Sequence, residues 1–266
     1  MKIAAIQMVS STQVDANVAT AQRLVADAAR AGAELVVLPE YFCLMGRSDR
    51  DKLGVAETPG DGVIQRALSD AARINAVWLV GGTLPIATPD PDRVLNANCV
   101  YAPDGGLVLR YDKVHLFKYD NGRERYDEGA AIRAGHEPMA FQAGPLRVGL
   151  SVCYDLRFPE LYRALMRPPC DVLTVPAAFT HTTGIAHWEL LLRARAVENQ
   201  CYVVAAAQGG LHENGRRTFG HSMVVDPWGK VLNVLPEGEG VVLAEVERER
   251  IASVRAQLPA LEHRVL

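Results

Sequence analysis

The amino-acid sequence predicts an α/β fold in which two stacked sheets carry helices on their outer faces. Each half of the chain alternates short apolar segments with amphipathic segments of helical period, as strand–helix–strand crossovers do. Each half also contains strand pairs joined by turn sequences, PDGG at residues 103–106 and PWGK at residues 227–230. No linker, low-complexity tract or repeat interrupts the 266 residues, which predicts a single domain over residues 1–266.

The first half of the chain begins with a short apolar strand at residues 2–9. A helix follows, because apolar residues recur at the 3.6-residue spacing of one helix face over residues 14–29, and Gly32 ends it. Residues 33–38 are apolar on both faces, as in a strand of a sheet that is covered on both sides, and Pro39 ends that strand. The pattern then predicts a helix at residues 63–74 and strands at residues 77–81, 94–102 and 107–111.

The second half repeats this alternation, starting with a strand at residues 146–152. Gly149 and Ser151 alternate with its apolar side chains and are predicted on the same face as Cys153, where they leave room beside the thiol. Pro159 suits the first turn of a helix, so Cys153 is predicted at a strand-to-helix turn, where a helix N-terminus favours a thiolate. The other predicted elements are strands at residues 172–175, 202–207, 223–226, 231–234 and 241–246, and helices at residues 185–199 and 247–258.

The charge balance and the cysteine count exclude several classes of protein. Lys and Arg number 28 against 31 Asp and Glu, a net charge of −3, so no basic field attracts nucleic acid or an anionic membrane. The first apolar run is broken at Gln7, too early for a signal peptide, and no apolar run approaches the roughly 20 residues of a membrane span. Five widely separated cysteines without a CxxC pair argue against a disulfide framework and a zinc ribbon. These features predict a cytoplasmic protein with no nucleic-acid or membrane partner.

Several common catalytic motifs are missing from the sequence. It has no GxGxxG, no GxxxxGK[ST], no HExxH and no GxSxG, which disfavours nucleotide-binding, zinc-protease and serine-hydrolase chemistry. The closest histidine pair, His181 and His187, lacks the spacing that places two ligands on one helix face. We therefore predict no metal site.

Three side chains that could take part in catalysis follow predicted strands. Glu40 and Lys113 come after the strands at residues 33–38 and 107–111, and Cys153 comes at the end of the next apolar strand. If these strands are neighbours in one sheet, all three side chains emerge at its carboxyl edge, where open α/β sheets place their sites. The alternative is a structural role: a buried free cysteine, as expected for the other four, and solvated loop charges.

Three sequence blocks around these residues resemble the signature blocks of the nitrilase superfamily of carbon-nitrogen hydrolases. The blocks are LPEYF at residues 38–42, YDKVHLF at residues 111–117 and VCYDLRFPELYR at residues 152–163. Later segments at residues 186–208 and 220–229 are similar to the Nit branch of that superfamily, which includes the deaminated glutathione amidases. The resemblance spans nearly the whole chain and implies an α/β four-layer α-β-β-α sandwich that needs no cofactor.

The resemblance implies catalytic roles for four side chains. Glu40 is the implied general base and Cys153 the implied nucleophile, which attacks an amide carbonyl and forms a thioester while ammonia leaves. Lys113 is implied to stabilise the oxyanion, with the backbone N–H of Tyr154 as second donor. Glu128 matches a further family glutamate, which holds the lysine ammonium in place; an exposed loop charge is its alternative.

A pocket for a carboxylate-bearing amide is also implied. Arg157 matches the family arginine assigned to the carboxylate, and its planar fork suits bidentate binding; a surface salt bridge is its alternative. Phe179 and Thr183 match positions that shape the pocket, and Tyr41 is expected at its mouth. The loop at residues 118–126 differs from that of the animal amidases and is expected to border the pocket.

The implied activity is hydrolysis of a small-molecule linear amide, with deaminated glutathione as the first candidate substrate. An ω-amidase acting on α-keto acid amides and an N-carbamoyl amino acid hydrolase are alternatives within the enzyme class, and an inactive scaffold protein is the alternative outside it. Family members pair through helices, which implies a homodimer or higher homo-oligomer. The predicted helix at residues 185–199 is the candidate for that interface.

Overall fold

Two large β-sheets dominate the computed structural model, which describes residues 1–265. The helices are α1 (Val14–Arg30), α2 (Val63–Asn75), α3 (Pro159–Leu165), α4 (His181–Asn199) and α5 (Arg248–Gln257). The strands are β1 (Lys2–Gln7), β2 (Leu35–Val37), β3 (Trp78–Val80), β4 (Leu84–Ala87), β5 (Val94–Tyr101), β6 (Leu107–Asp112), β7 (Lys118–Asp120), β8 (Arg125–Asp127), β9 (Ala140–Ala143), β10 (Leu146–Leu150), β11 (Val172–Ala177), β12 (Tyr202–Ala207), β13 (Gly209–Leu211), β14 (Arg217–Phe219), β15 (Ser222–Val225), β16 (Val231–Leu235) and β17 (Gly240–Glu245). Within the described residues, none of the helices has the length and apolar character needed to cross a membrane.

Parallel strands form the centre of each large sheet. The first sheet has the order β17-β1-β2-β3-β5-β4 with β6 paired to β5, and its strands β1, β2 and β3 run parallel. The second has the order β16-β15-β12-β11-β10-β9, and β10, β11 and β12 run parallel. Because parallel neighbours require crossover connections and the outer strands pair antiparallel, each half combines crossovers with hairpins, as the sequence predicts.

One apolar core joins the inner faces of the two sheets. Ile3 and Ala5 of β1 belong to the same buried cluster as Val148 of β10 and the apolar residues of α3 and α4. Ala4 of β1 points the other way and joins a second cluster with Leu24 of α1 and residues of α2. Since successive side chains of a strand face opposite sides, α1 and α2 lie outside the first sheet and the second sheet lies against its inner face. The layers are those of the α-β-β-α sandwich that the sequence predicts.

The structure extends the predicted elements in two places beside the site. Helix α4 begins at His181 instead of residue 185, after Thr180, whose side chain accepts a hydrogen bond from the Thr183 N–H at 3.4 Å. Thr and Gly in this first turn have low helix propensity and hide it from the pattern. Residues 118–127 form the β7–β8 hairpin instead of a loop, turning through Asn121 and Gly122.

Candidate active site

The three strands that precede Glu40, Lys113 and Cys153 do not all lie in one sheet. Strands β2 and β6 belong to the first sheet, whereas β10 belongs to the second. The expectation of a single sheet edge is therefore wrong. The side chains meet because the sheets stack face to face, so that segments leaving the two sheets converge from opposite sides of the shared core.

Lys113 forms a buried ion cluster with two glutamates. Its Nζ donates to Glu40 Oε1 at 2.8 Å and to both carboxylate oxygens of Glu128, at 2.9 and 2.8 Å. The Lys113 side chain has no exposed surface, and Glu40 is 1% exposed. Glu128 is also buried, so the solvated loop charges considered for these three residues are not what the structure contains.

Charge pairing keeps Lys113 and Glu128 ionised. Burial opposes the charge on Lys113, but Glu128 and Glu40 raise the pKa of its ammonium well above the usual value. Burial likewise opposes the charge on Glu128, yet the Lys113 ammonium lowers the pKa of that carboxyl below its usual value, helped by the Phe117 N–H at 2.7 Å. Lys113 is thus a fixed cation at neutral pH.

Tyr41 lies behind Glu128 and not at the mouth of the pocket, where it was expected. Its hydroxyl donates to Glu128 Oε1 at 2.6 Å, and its side chain is almost fully buried. Burial and the nearby Glu128 charge raise the pKa of Tyr41, so the hydroxyl keeps the proton that it donates. Tyr41 therefore orients Glu128 and is not among the residues that line the pocket.

Glu40 is held by two partners that the sequence analysis missed. The side-chain amide of Asn96 donates to Oε1 at 3.0 Å, and the Ala178 N–H donates to Oε2 at 3.0 Å. Asn96 is one of two buried asparagines, with Asn98, in a strand β5 whose other residues are apolar. A polar residue inside such a strand needs a buried partner, and this was the available signal. No pattern marks a backbone donor such as Ala178.

Cys153 occupies the first position of a short 3₁₀ turn at Cys153–Arg157, with a left-handed backbone φ of 49°. Such a conformation costs a non-glycine residue about 1–3 kcal/mol and is concentrated at functional sites. Burial and the neighbouring Glu40 raise the pKa of the Cys153 thiol, although Lys113 opposes them. The expectation of a thiolate stabilised by the turn is therefore wrong, and the resting group is a neutral thiol.

The small residues of β10 do not flank this thiol. Strand β10 ends at Leu150, so its alternation does not continue to Cys153. A Cβ on Gly149 would contact Leu165 of α3, and the Ser151 hydroxyl pairs with the Tyr162 hydroxyl at 2.8 Å. Both residues therefore face the outer helix layer.

Asp155 fixes the turn that carries Cys153, a role that the sequence analysis did not find. Its carboxylate accepts hydrogen bonds from the Tyr111 hydroxyl at 2.7 Å and the Val152 N–H at 2.8 Å. His115 adds its backbone N–H at 3.0 Å and its ring nitrogen Nδ1 at 2.7 Å. Asp155 is fully buried, so these donors bind the nucleophile turn to the segment around Lys113.

Cys153 opens into a pocket. Four of the five predicted pocket residues line it, namely Tyr154, Arg157, Phe179 and Thr183, together with Glu40, Phe117, Glu128, Cys153, Ala178, Thr180 and Arg216. Arg216, which the sequence analysis missed, lies just before β14. Within residues 1–265, His, Cys, Asp and Glu form no cluster arranged to hold a metal ion.

Arg157 lies over the aromatic wall of this pocket. Its guanidinium is 5.2 Å from the Phe179 ring centroid and 5.8 Å from that of Tyr154, and its Nη1 donates to His187 Nδ1 at 3.2 Å. Among the described residues no carboxylate pairs with Arg157. The surface salt bridge considered as its alternative is therefore absent from the described part of the chain. Its charge is therefore available to a ligand.

The geometry can support covalent hydrolysis. The Glu40 carboxylate and the Cys153 thiol line one pocket, and the Lys113 ammonium is paired with that carboxylate. Together these groups offer a base, a nucleophile and a cation for developing negative charge. As the second residue of the 3₁₀ turn, Tyr154 has a backbone N–H without an intrahelical acceptor. That N–H is a candidate donor to an oxyanion formed at Cys153. The Lys113 ammonium does not itself line the pocket and is the candidate cation behind the lining residues Glu40 and Glu128.

Comparison with known proteins identifies the family. The sequence model of the carbon-nitrogen hydrolases matches residues 2–256. The deaminated glutathione amidase of Synechocystis is 42% identical over 266 residues, covering 98% of this chain and 97% of its own length. The crystal structure of the C. elegans NitFhit protein superposes with a TM-score of 0.91 at 38% identity, covering 99% of this chain and 65%, less than two thirds, of that chain.

An amidase from Nesterenkonia sp. AN1 provides a chemical comparison. Its structure superposes with a TM-score of 0.81 at 27% identity, covering 97% of this chain and 98% of that chain, and it shows acrylamide added at that protein's active-site cysteine. The predicted sandwich and the resemblance to the Nit branch of the nitrilase superfamily are thereby confirmed. The protein is a hydrolase of carbon–nitrogen bonds in linear amides. This chain belongs to the carbon-nitrogen hydrolase family.

Proposed function

We propose that the protein is an amidase that cleaves a carboxylate-bearing linear amide through a thioester on Cys153, with deaminated glutathione as its substrate. The observation that carries the proposal is the buried Glu40–Lys113–Glu128 cluster beside the Cys153 thiol, in a pocket where Arg157 has no acidic partner among residues 1–265. Several relatives are deaminated glutathione amidases, at 42% identity to this chain or less, and they support this substrate class.

Acylation begins at the neutral thiol. Cys153 Sγ attacks the amide carbonyl carbon while Glu40 accepts the thiol proton, and the carbonyl oxygen becomes an oxyanion held by Lys113 Nζ and the Tyr154 N–H. Glu40 then donates this proton to the amide nitrogen, the C–N bond breaks and the amine leaves. The acyl group remains on Cys153 as a thioester.

Deacylation uses the same groups in reverse. Glu40 accepts a proton from water, whose oxygen attacks the thioester carbonyl, and the same two donors stabilise the second oxyanion. The C–S bond breaks, the sulfur recovers a proton from Glu40 and the carboxylic acid departs. Glu128 takes no proton in this sequence; it positions the Lys113 ammonium.

The identity of the leaving amine depends on the amide. Deaminated glutathione is glutathione whose glutamyl amino group is replaced by an oxo group, so the nitrogen of its γ-amide belongs to cysteinylglycine. Its hydrolysis releases this dipeptide and 2-oxoglutarate, whereas ammonia leaves only from primary amides such as 2-oxoglutaramate. The expectation of ammonia release thus applies to the ω-amidase alternative, and an assay restricted to ammonia would not detect the proposed reaction.

The substrate is tested by mass-spectrometric product analysis on four compounds: deaminated glutathione, 2-oxoglutaramate, an N-carbamoyl amino acid and a simple nitrile. We expect the highest kcat/KM for deaminated glutathione. Preference for 2-oxoglutaramate or the carbamoyl compound would replace the proposed substrate by the corresponding alternative. A folded protein that hydrolyses none of the four compounds would favour the inactive scaffold.

The role of Arg157 is tested by Arg157→Gln. Loss of a charge-assisted pair with the substrate carboxylate is expected to raise KM about 10- to 100-fold, with a smaller change in kcat, because a hydrogen bond to a charged group contributes roughly 1.5–3 kcal/mol. The measurement is steady-state kinetics on the best substrate, with Arg66→Gln as the matched control, because Arg66 is an exposed arginine on α2. An unchanged KM would remove Arg157 from substrate binding.

We also propose a homodimer formed through α4 in a reducing compartment such as the cytoplasm, where the five free cysteines stay reduced. Leu190 and Val197 are exposed on one face of α4, and the Arg193 Nε donates to the Gly229 carbonyl at 2.8 Å, which places exposed Trp228 beside them. Glu189 and Arg193 border this patch, so it carries charges of both signs, which suits the self-complementary surface of a twofold dimer.

The dimer is tested by Val197→Glu. A charge at the centre of the Leu190–Val197–Trp228 patch is expected to shift the protein from dimer to monomer in analytical ultracentrifugation at micromolar concentration. Ile74→Glu is the matched control, because Ile74 is an apolar residue on α2 that is even more exposed than Val197. A variant that sediments like the wild type would place the interface elsewhere.

A further inference from the structure

Arg216 stands in the pocket wall with an unused hydrogen-bond donor. Its Nη2 donates to the Ala178 carbonyl at 2.9 Å, and its guanidinium lies 5.0 Å from the ring centroid of Tyr126. Its Nε is buried, and within the described part of the chain it has no hydrogen-bond partner and Arg216 forms no ion pair. Arg216 lines the pocket, and a pocket-lining cation without a paired carboxylate among the described residues points to an anionic group supplied by a ligand.

The position of Arg216 relative to Glu40 indicates which part of the substrate it meets. The Ala178 N–H donates to Glu40 Oε2 at 3.0 Å, while the Ala178 carbonyl accepts from Arg216, so one peptide residue separates the two side chains. Glu40 must reach the departing nitrogen to protonate it. The leaving amine therefore lies on the Glu40 side of the pocket, which is the side that Arg216 borders.

Arg157 occupies a different wall. It contacts Tyr154, Phe179 and His187, none of which contacts Arg216 through a hydrogen bond or an aromatic interaction. Both arginines line the pocket, and neither has an acidic partner among residues 1–265. The pocket thus presents two separate cationic groups, one of them beside the proton donor of the leaving amine.

We propose that Arg216 binds an anionic group carried by the leaving amine, whereas Arg157 binds the carboxylate of the acyl part. This inference rests on the proposed function, and the substrate class it names is an amide with a carboxylate on each side of the scissile bond. Deaminated glutathione has this constitution, with one carboxylate beside the oxo group and one on the terminal glycine. The β7–β8 hairpin contributes through Tyr126, on which the Arg216 guanidinium stacks.

The test compares two substrates that differ only in the leaving amine: deaminated glutathione and its C-terminal carboxamide, which releases cysteinylglycinamide. For Arg216→Gln we expect kcat/KM on the carboxylate to fall about 10- to 100-fold, mainly through KM, and on the carboxamide by much less, so that the wild-type preference for the carboxylate disappears. Arg217→Gln is the matched control, because Arg217 is the adjacent arginine, is exposed and pairs with Glu237 at 2.9 Å.

Two results would overturn the inference. Equal losses on both substrates would make Arg216 a positioning residue that acts on Glu40 through Ala178, and unchanged kinetics would make it a structural cation. Turnover of deaminated glutathione by the wild type decides the proposed function separately. If the wild type prefers another acyl group, kcat/KM is measured with that group joined to glycine and to glycinamide. A carboxylate-to-carboxamide ratio of kcat/KM that Arg216→Gln leaves unchanged there also overturns the inference.

Discussion

Replacing Cys153 by alanine is expected to lower kcat/KM for amide hydrolysis on the order of 10⁴-fold or more, as removal of the nucleophile does in other covalent hydrolases. The fold should remain intact, because the thiol fills little volume and accepts no structural hydrogen bond within the described residues. Without sulfur no thioester forms, and Glu40 and Lys113 can only promote direct attack of water. The measurement is product formation under single-turnover conditions, with the unfolding free energy determined in parallel.

Cys170→Ala is the control, because Cys170 is a buried thiol of the second-sheet region outside the pocket. It should keep its activity within a few-fold. Acid-quenched wild type should carry the mass of the acyl group on the peptide containing Cys153, and the variant should not. A folded Cys153→Ala protein with more than about 1% of wild-type activity would contradict the thioester mechanism.

The state of the thiol also predicts its reactivity. Burial and Glu40 raise the pKa of Cys153, so the nucleophile becomes reactive only as Glu40 withdraws its proton during attack. Burial raises the pKa of Cys43 and Cys99 to about 12, and neither lines the pocket. Selectivity for Cys153 in alkylation therefore depends on access to the pocket and on Glu40, not on a preformed thiolate.

The sequence contains enough information for the chemistry of the site but not for its assembly. Glu40, Lys113 and Cys153 each follow an apolar strand, and the blocks around them resemble one superfamily, so their convergence could be predicted. The assignment of the three strands to one sheet failed because strand periodicity reports which face is buried but not which strands are neighbours. Only the stacking of two sheets brings Cys153 to Lys113.

The supporting residues were hidden for a related reason. Asp155, Asn96 and Arg216 act through partners that are distant in sequence, and an isolated Asp, Asn or Arg is most often a surface residue. Of these three, only Asn96 carried a local signal, as a polar residue in a mainly apolar strand, and Asn98 of the same strand carries that signal too. Tyr41 was misplaced because the aromatic ring after Glu40 suggests a pocket wall, whereas its hydroxyl satisfies the buried carboxylate of Glu128.

Lys113→Met is the second variant with a large expected effect, because it leaves two buried carboxylates without their cation. Removing one partner of a buried ion pair costs about 3–5 kcal/mol of unfolding free energy. Activity should fall at least about 10²- to 10³-fold as well, because one of the two oxyanion donors is lost. Lys118→Met is the stability control: its ion pair with Asp127, at 2.9 Å, is exposed and is expected to change the unfolding free energy far less than Lys113→Met does.

The pH dependence of stability distinguishes a lost charge from a lost packing contact in this variant. In the wild type Lys113 lowers the pKa of Glu128, so the stability contributed by this carboxylate is present at neutral pH and is lost as pH falls through that pKa. In Lys113→Met, burial, which has the largest influence on this carboxyl, is opposed only by the weaker effects of the Phe117 N–H and the Tyr41 hydroxyl, and it raises the Glu128 pKa above its unfolded value of about 4.3. The unfolding free energy of the variant should therefore fall relative to wild type as pH rises from about 4 to 7. Urea denaturation across this range measures the difference, and a constant deficit at every pH would mean that the ammonium stabilises the fold by packing alone.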